Sequence, residues 1–153
     1  GIRDYKVTGV QTCALPISFI DTYEDKEGKQ KKINIVTMYR QMDGYPEGHG
    51  MDLAEFLNGG TMVNGIGVTE TRLVFNGMGC LAAQAVAYFK DGPGGIYLHR
   101  GGTKNCWEQY RYEVIENGPG KDVTLRCYDV YDKKWIFEGT PKEFINKYEK
   151  EKV

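Results

Sequence analysis

The chain has 153 residues, 41 % of them apolar and 27 % charged, which suits one folded domain and not a disordered or fibrous chain. A net charge of −1 excludes a polybasic binder of long nucleic acid or of anionic membranes, and no apolar run approaches the roughly 18 residues that cross a bilayer. Twenty glycines, well above the usual ~7 % share, point to many turns and close backbone approaches.

Residues 1–18 read GIRDYKVTGVQTCALPIS. Val7 to Ile17 resembles, codon by codon, the translation of a common Illumina sequencing adapter, and one leftover base opens the codon of Ser18. Gly1 to Asp4 resembles the translation of the bases upstream, and Tyr5 and Lys6 fall where the variable index lies. The resemblance implies that residues 1–18 are an adapter-derived artefact that does not dock on the core, although Val7 to Val10 could mimic an edge strand. It also implies that the native chain, residues 19–153, is truncated at its N-terminus and lacks most of a first strand. A signal peptide is the alternative, but its apolar core, Ala14 to Ile17, is short and broken by Pro16. Without Arg3, Lys6 and Asp4 the net charge moves from −1 to −2. Cys80, Cys106 and Cys127 remain with no CxxC spacing, so neither a disulfide framework nor a zinc site is expected, and a reducing cytosol fits.

From Phe19 onward the pattern is readable. Phe19-Ile20-Asp21 ends a strand, Glu24 to Lys32 is a charged turn centred on Gly28, and Ile33 to Gln41 alternates as the hairpin partner. Asp43 to Gly50, DGYPEGHG, is a loop. Met51 to Leu57 is a short helix with Leu53, Phe56 and Leu57 on one face, and Asn58-Gly59-Gly60 is its expected C-cap. Thr61 to Phe75 reads as irregular. Gly77 to Lys90 is an Ala-rich helix, apolar enough along its length to be buried, and Ala82 and Ala85 to Ala87 allow close approach to a sheet. Ile96 to His99 is a short strand. Trp107 to Glu116, Asp122 to Tyr131 and Lys134 to Glu138 alternate as three consecutive antiparallel strands joined by turn residues. Thr140-Pro141-Lys142-Glu143 starts a closing helix that carries Phe144, Ile145 and Tyr148 on one face. The sum is an α+β single domain, an antiparallel sheet with about three helices packed mainly on one face.

The most informative stretch runs from Met38 to Leu53 and holds Asp43-Gly44-Tyr45-Pro46-Glu47-Gly48-His49-Gly50. Together with Asn76 to Gln84 and Gly92 to Leu98, it resembles a family of small tailed-phage and prophage proteins that carry a DGYPEG-type motif. The resemblance covers most of residues 33–115 and implies a phage context, with a leading strand of the kind missing here.

The loop places Arg40, Asp43, Tyr45, Glu47 and His49 at a strand end and a helix mouth. Its glycines let a ligand approach the backbone, and Pro46 lowers the ordering cost. One ring, one cation and two carboxylates suit a nucleobase and ribose. The alternative is a rigid connector in which Asp43 holds its own turn and Arg40 pairs with Glu47. Asn76, Gly77 and Gly79 open the apolar helix, where exposed N–H groups favour an anion. The alternative there is a plain N-cap with glycines for packing. The spacing is neither GxGxxG nor a P-loop.

Cys80 in the first turn of that helix reads as a small core cysteine; a nucleophile pair with His49 or His99 is the alternative. The histidines with Asp43 or Glu47 lack metal-ligand spacing, so no metal and no cofactor are expected. Alternation sets Tyr110, Tyr112 and Glu108 on one sheet face and Trp107 and Arg111 on the other. With Tyr97, Tyr128, Tyr131 and Trp135 these make either a half-buried aromatic face or a stacking platform for a base.

These residues lead to the expectation of a small phage protein of the host cytosol that binds and sequesters a nucleotide-like immune signal without turning it over. The site is expected where Arg40, Asp43, Tyr45, Glu47 and His49 meet Asn76, Gly77 and Gly79. Long nucleic acid and membrane are not expected as partners, and a homo-oligomer is open. The rival expectations are a protein-binding inhibitor of a host factor, or a small hydrolase or transferase using Asp43, Glu47 and His49.

Overall fold

Two alternating runs joined by a charged turn start the fold of the computed structural model, which describes residues 15–41, 44–67, 73–104 and 108–151. Strand β1 (Leu15–Glu24) and strand β2 (Gln30–Arg40) pair antiparallel, from Leu15 opposite Arg40 to Glu24 opposite Gln30. The turn closes on Asp25, whose carboxylate accepts the N–H groups of Glu27 and Lys29 at 2.9 Å, and on Gly28 at φ +82°. A shift in register after Phe19 leaves Ile35 of β2 as the extra residue of a bulge.

β1 begins at Leu15, inside the stretch expected to lie off the core. Leu15 and Ile17 are buried with Phe19 in the main core, while Pro16 and Ser18 face the other side of the sheet. The reason is periodicity. Leu-Pro-Ile-Ser supplies apolar residues at every second position, which is all that one face of a strand requires. Pro16 has no N–H to donate, but it precedes the first residue paired with a second neighbour, so the ladder loses little. Val7 to Val10 lie outside the described residues.

The expected meander is present as β6 (Tyr110–Ile115), β7 (Thr124–Asp129) and β8 (Lys134–Gly139), and β5 (Ile96–His99) joins β2 at its far edge. These strands form one six-stranded sheet in the order β5-β2-β1-β6-β7-β8. All pairs are antiparallel except the seam between β1 and β6, which run parallel from Ile17 opposite Tyr112 to Ile20 opposite Ile115. The sheet is therefore mostly antiparallel rather than wholly so. The stretch expected to be irregular contributes β3 (Thr61–Val63) and β4 (Val74–Asn76), a small parallel pair separate from the main sheet.

Three helices cover one face: α1 (Met51–Asn58), α2 (Gly77–Phe89) and α3 (Pro141–Glu151). The expected start of α3 is a reciprocal cap. Thr140 N–H donates to the Glu143 carboxylate at 2.8 Å, and Glu143 N–H donates to the Thr140 hydroxyl at 3.1 Å. Phe144 and Tyr148 then reach the core, and burying Phe144 contributes on the order of 1.5–3 kcal/mol. Two expectations need correction. Gly59 ends α1 in right-handed geometry, and Gly60 serves space instead, because a Cβ there would enter the Phe75 ring. Helix α2 is not buried all round: Met78, Leu81, Ala82 and Ala85 face inward, whereas Ala83, Ala87 and Tyr88 face solvent. Alanine carries no polarity signal by which to tell the two sides apart. Among the described residues no helix is long and apolar enough to cross a membrane.

Candidate functional site

The DGYPEGHG loop leaves β2 at Arg40 and runs into α1 through a π-type turn, Pro46–Gly50, that the Gly50 N–H closes on the Tyr45 carbonyl at 3.4 Å and that is kinked at Gly48, whose backbone is not helical. Two contacts fasten it to the helix-covered face. Tyr112 of β6 donates its hydroxyl to the Gly44 carbonyl at 3.0 Å in a buried setting. Gly50 lies so close to Tyr112 and Phe144 that a Cβ would collide with the Tyr112 hydroxyl. Burial pushes the Tyr112 phenol well above its ordinary range, and the neighbouring Cys127 adds to the effect. Burial likewise pushes the Cys127 thiol up to about 12.

The charged residues of this region converge on Asp52, in the first turn of α1. His49 Nδ1 is 3.1 Å from Asp52 Oδ2, and Arg40 approaches the same oxygen at 4.0 Å. The Arg40 guanidinium also lies over the Phe89 ring, 4.7 Å from its centroid. Among the described residues Arg40 makes its ion pair with Asp52 rather than with Glu47. Glu47 is part-buried in the π turn, and Tyr45 is exposed. Asp43 lies outside the described residues.

Asn76, Gly77 and Gly79 do not join this cluster. Arg40 stands opposite Leu15 at the start of β1 and meets the C-terminal end of α2, at Phe89. The N-terminal end of α2 lies where Ile20 pairs with Ile115, at the other end of a helix about 20 Å long. Asn76 makes no cap to α2; its side-chain oxygen accepts the Gly65 N–H at 2.7 Å. The Glu116 carboxyl lies near the backbone of Met78 at this helix start. Burial raises the Glu116 pKa, the adjacent Asp21 raises it further, and the Met78 backbone works in the opposite direction. The expected convergence of loop and helix start is therefore absent. It failed because the sequence does not reveal which end of α2 faces the loop.

Cys80 donates to the Gln84 side chain at 3.1 Å, and His99 packs edge-on against the Tyr39 ring at 5.7 Å. No Cys–His pair is formed by these contacts. Among the described residues there is no cluster of three or more His, Cys, Asp or Glu able to hold a metal.

A different region gathers more chemistry. The sheet face turned away from the helices carries two rows of side chains set by strand register. One row runs Tyr97, Tyr39, Pro16, Arg111, Tyr128 and Trp135 across the sheet. The next runs His99, Thr37, Ser18, Glu113, Arg126 and Glu138. Cations stack on rings where the rows meet. The Arg111 guanidinium is 4.7 Å from the Tyr128 ring centroid, and that of Arg126 is 3.5 Å from the Trp135 centroid. Tyr128 and Trp135 meet edge to face at 5.0 Å. Arg126 also contacts Glu113 at 3.0 Å and Glu138 at 2.8 Å.

Above these rows lies a groove of about 490 Å³ lined by Ser18, Asn34, Lys104, Arg111, Tyr128 and Trp135 among others. Its wall is the loop after β5, held down by Thr37, whose hydroxyl accepts the Gly102 N–H at 2.9 Å and bonds the Ser18 hydroxyl at 3.0 Å. Gly101 rests against the Asn34 backbone where no Cβ fits. Arg126, Glu113 and Glu138 were not among the expected site residues; the two-residue spacing of Arg111 with Glu113 and of Arg126 with Tyr128 was the signal for them. A second depression of about 500 Å³ lies between α1 and α2, with Phe56, Leu73, Ala87 and Tyr88 on its walls. Comparison of the chain with family models, curated proteins and solved structures finds no match.

Proposed function

We propose that this protein binds a small nucleotide-like molecule in the groove on the open face of its sheet and does not turn it over. The observation that carries the reading is the row in which Arg111, Tyr128 and Trp135 stack beside a groove of about 490 Å³. Aromatic faces and guanidinium planes accept any base, and cations beside them accept its phosphate. A groove of this size holds one such ligand and leaves a polymer mostly outside. The near-neutral net charge agrees, because long nucleic acid is held by many phosphate contacts. The resemblance to small tailed-phage proteins makes nucleotide-derived immune signals of a host the ligands to try first, sequestered in the cytosol of the infected cell.

The test is calorimetry on a panel of mononucleotides, cyclic dinucleotides and ADP-ribose derivatives, followed by denaturation and recovery of the ligand. Binding with the ligand recovered intact is expected. Trp135→Ala and Arg111→Ala should each weaken it about tenfold or more, since one base–aromatic stack contributes roughly 1–3 kcal/mol. Arg40→Ala should bind like wild type, because Arg40 lies in the cluster at Asp52. Loss of binding in Arg40→Ala alone would return the site to the loop, and a chemically altered ligand would favour the hydrolase reading.

A second reading, a protein-binding inhibitor, is favoured by the depression between α1 and α2. There Leu73 is 44 % and Tyr88 66 % exposed, which is unusual for such side chains side by side. Tyr88→Glu would then abolish association with the partner while leaving nucleotide binding unchanged.

A further inference from the structure

The cations of the open face are not equivalent. Arg126 is held between the carboxylates of Glu113 and Glu138 and lies flat on Trp135, so its charge is already matched. Arg111 has one carboxylate, that of the buried Glu108, at 3.8 Å. Lys104 is exposed on the groove wall and makes no ion pair among the described residues. Among the described residues, Lys104 and Arg111 set against Glu108 leave one positive charge at this edge of the groove. Glu113 borders the other side, where added negative charge is repelled.

We infer that the groove selects nucleotides carrying a single phosphate, with the phosphate at Lys104 and Arg111 and the base on Tyr128 and Trp135. The inference rests on the nucleotide-binding reading and narrows it. One phosphate, about −1 as a cyclic diester and about −1.5 to −2 as a terminal monoester, already takes up all the positive charge left at that edge. A triphosphate or a second bridging phosphate must either project into solvent without a partner or approach Glu113. A nucleoside keeps the stacking and loses the ion pair.

The deciding experiment titrates wild type and Lys104→Ala with the four common nucleosides, their 5′- and cyclic monophosphates, their triphosphates, ADP-ribose and cyclic dinucleotides, by calorimetry at fixed salt. At least one monophosphate should bind about tenfold tighter than its nucleoside and tighter than its triphosphate. Lys104→Ala should erase the advantage over the nucleoside and leave nucleoside binding unchanged; the exposed side chain makes a folding defect a matter for a thermal melt on the same sample. The inference falls, with the nucleotide reading intact, in any of three cases: a multiply phosphorylated ligand equals or exceeds every monophosphate, a nucleoside equals its monophosphate, or the variant weakens nucleoside and monophosphate alike. Absence of binding across the whole panel overturns both.

Discussion

Tyr112 and Tyr128 stand on neighbouring strands, one register position apart, and face opposite sides of the same sheet. Tyr112 is buried, bonds the Gly44 carbonyl and forms part of the bed on which the DGYPEGHG loop rests. Tyr128 lies under Arg111 and beside Trp135, on a face that no helix among the described residues covers. The two faces thus divide the work. The loop with the richest set of charged, aromatic and glycine residues is fastened to the covered face through the Gly44 carbonyl and the close seat of Gly50. The plainer strands carry their stacked cations and rings to solvent. A concentration of chemically interesting residues in one segment is therefore a guide to where the backbone is constrained as much as to where a ligand binds.

The largest effect that could break this division is alkaline. The Cys127 thiol ordinarily titrates near 9.0, and its folded value is about 12, so the folded chain keeps a proton that the unfolded chain gives up. The corresponding stability is intact below about pH 9 and is lost as the pH rises toward about 12, a total of about 4 kcal/mol. Tyr112, shifted in the same direction, adds to the loss above about pH 10. Urea unfolding across this range should show the decline, and Cys127→Ala should flatten it. A flat profile in wild type would mean that the covered face admits water.

A smaller effect separates the two sides of α2. Ala85 is fully buried and Ala83 faces solvent, so Ala85→Leu should cost about 1–3 kcal/mol by overpacking and Ala83→Leu close to nothing. Equal effects in thermal melts would erase the distinction. The smallest effect sharpens the tyrosine pair itself. Tyr112→Phe removes the bond to Gly44 and should cost about 1 kcal/mol, while Tyr128→Phe should leave stability unchanged.

Much of the fold was legible because alternation and turn residues are local. The hairpin turn at Asp25 and Gly28, the meander, and the Thr140–Glu143 cap all follow from residues a few positions apart. What was not legible depends on distant partners. β3 and β4 are three residues each, too short for a pattern, and they exist because each pairs with the other. The parallel pairing of β1 with β6 leaves no mark on either strand alone. The same limit governed the site. Arg40 and His49 were singled out by their neighbours in sequence, but Asp52 and Phe89 decide what they touch. Arg111 was placed opposite Tyr112 by alternation, and its stack on Tyr128 needed the register of β6 on β7.

The parallel seam has a kinetic consequence. The β1–β2 hairpin and the β6–β7–β8 meander each close over short loops, whereas Ile17 and Tyr112 are about 95 residues apart in the chain. Loop-closure entropy delays such a pairing, so two preformed ribbons wait on a stretch of four residues, Ile17 to Ile20, to register against Tyr112 to Ile115. What occupies positions 17 and 18 therefore bears on the speed of folding as well as on the core that Ile17 fills.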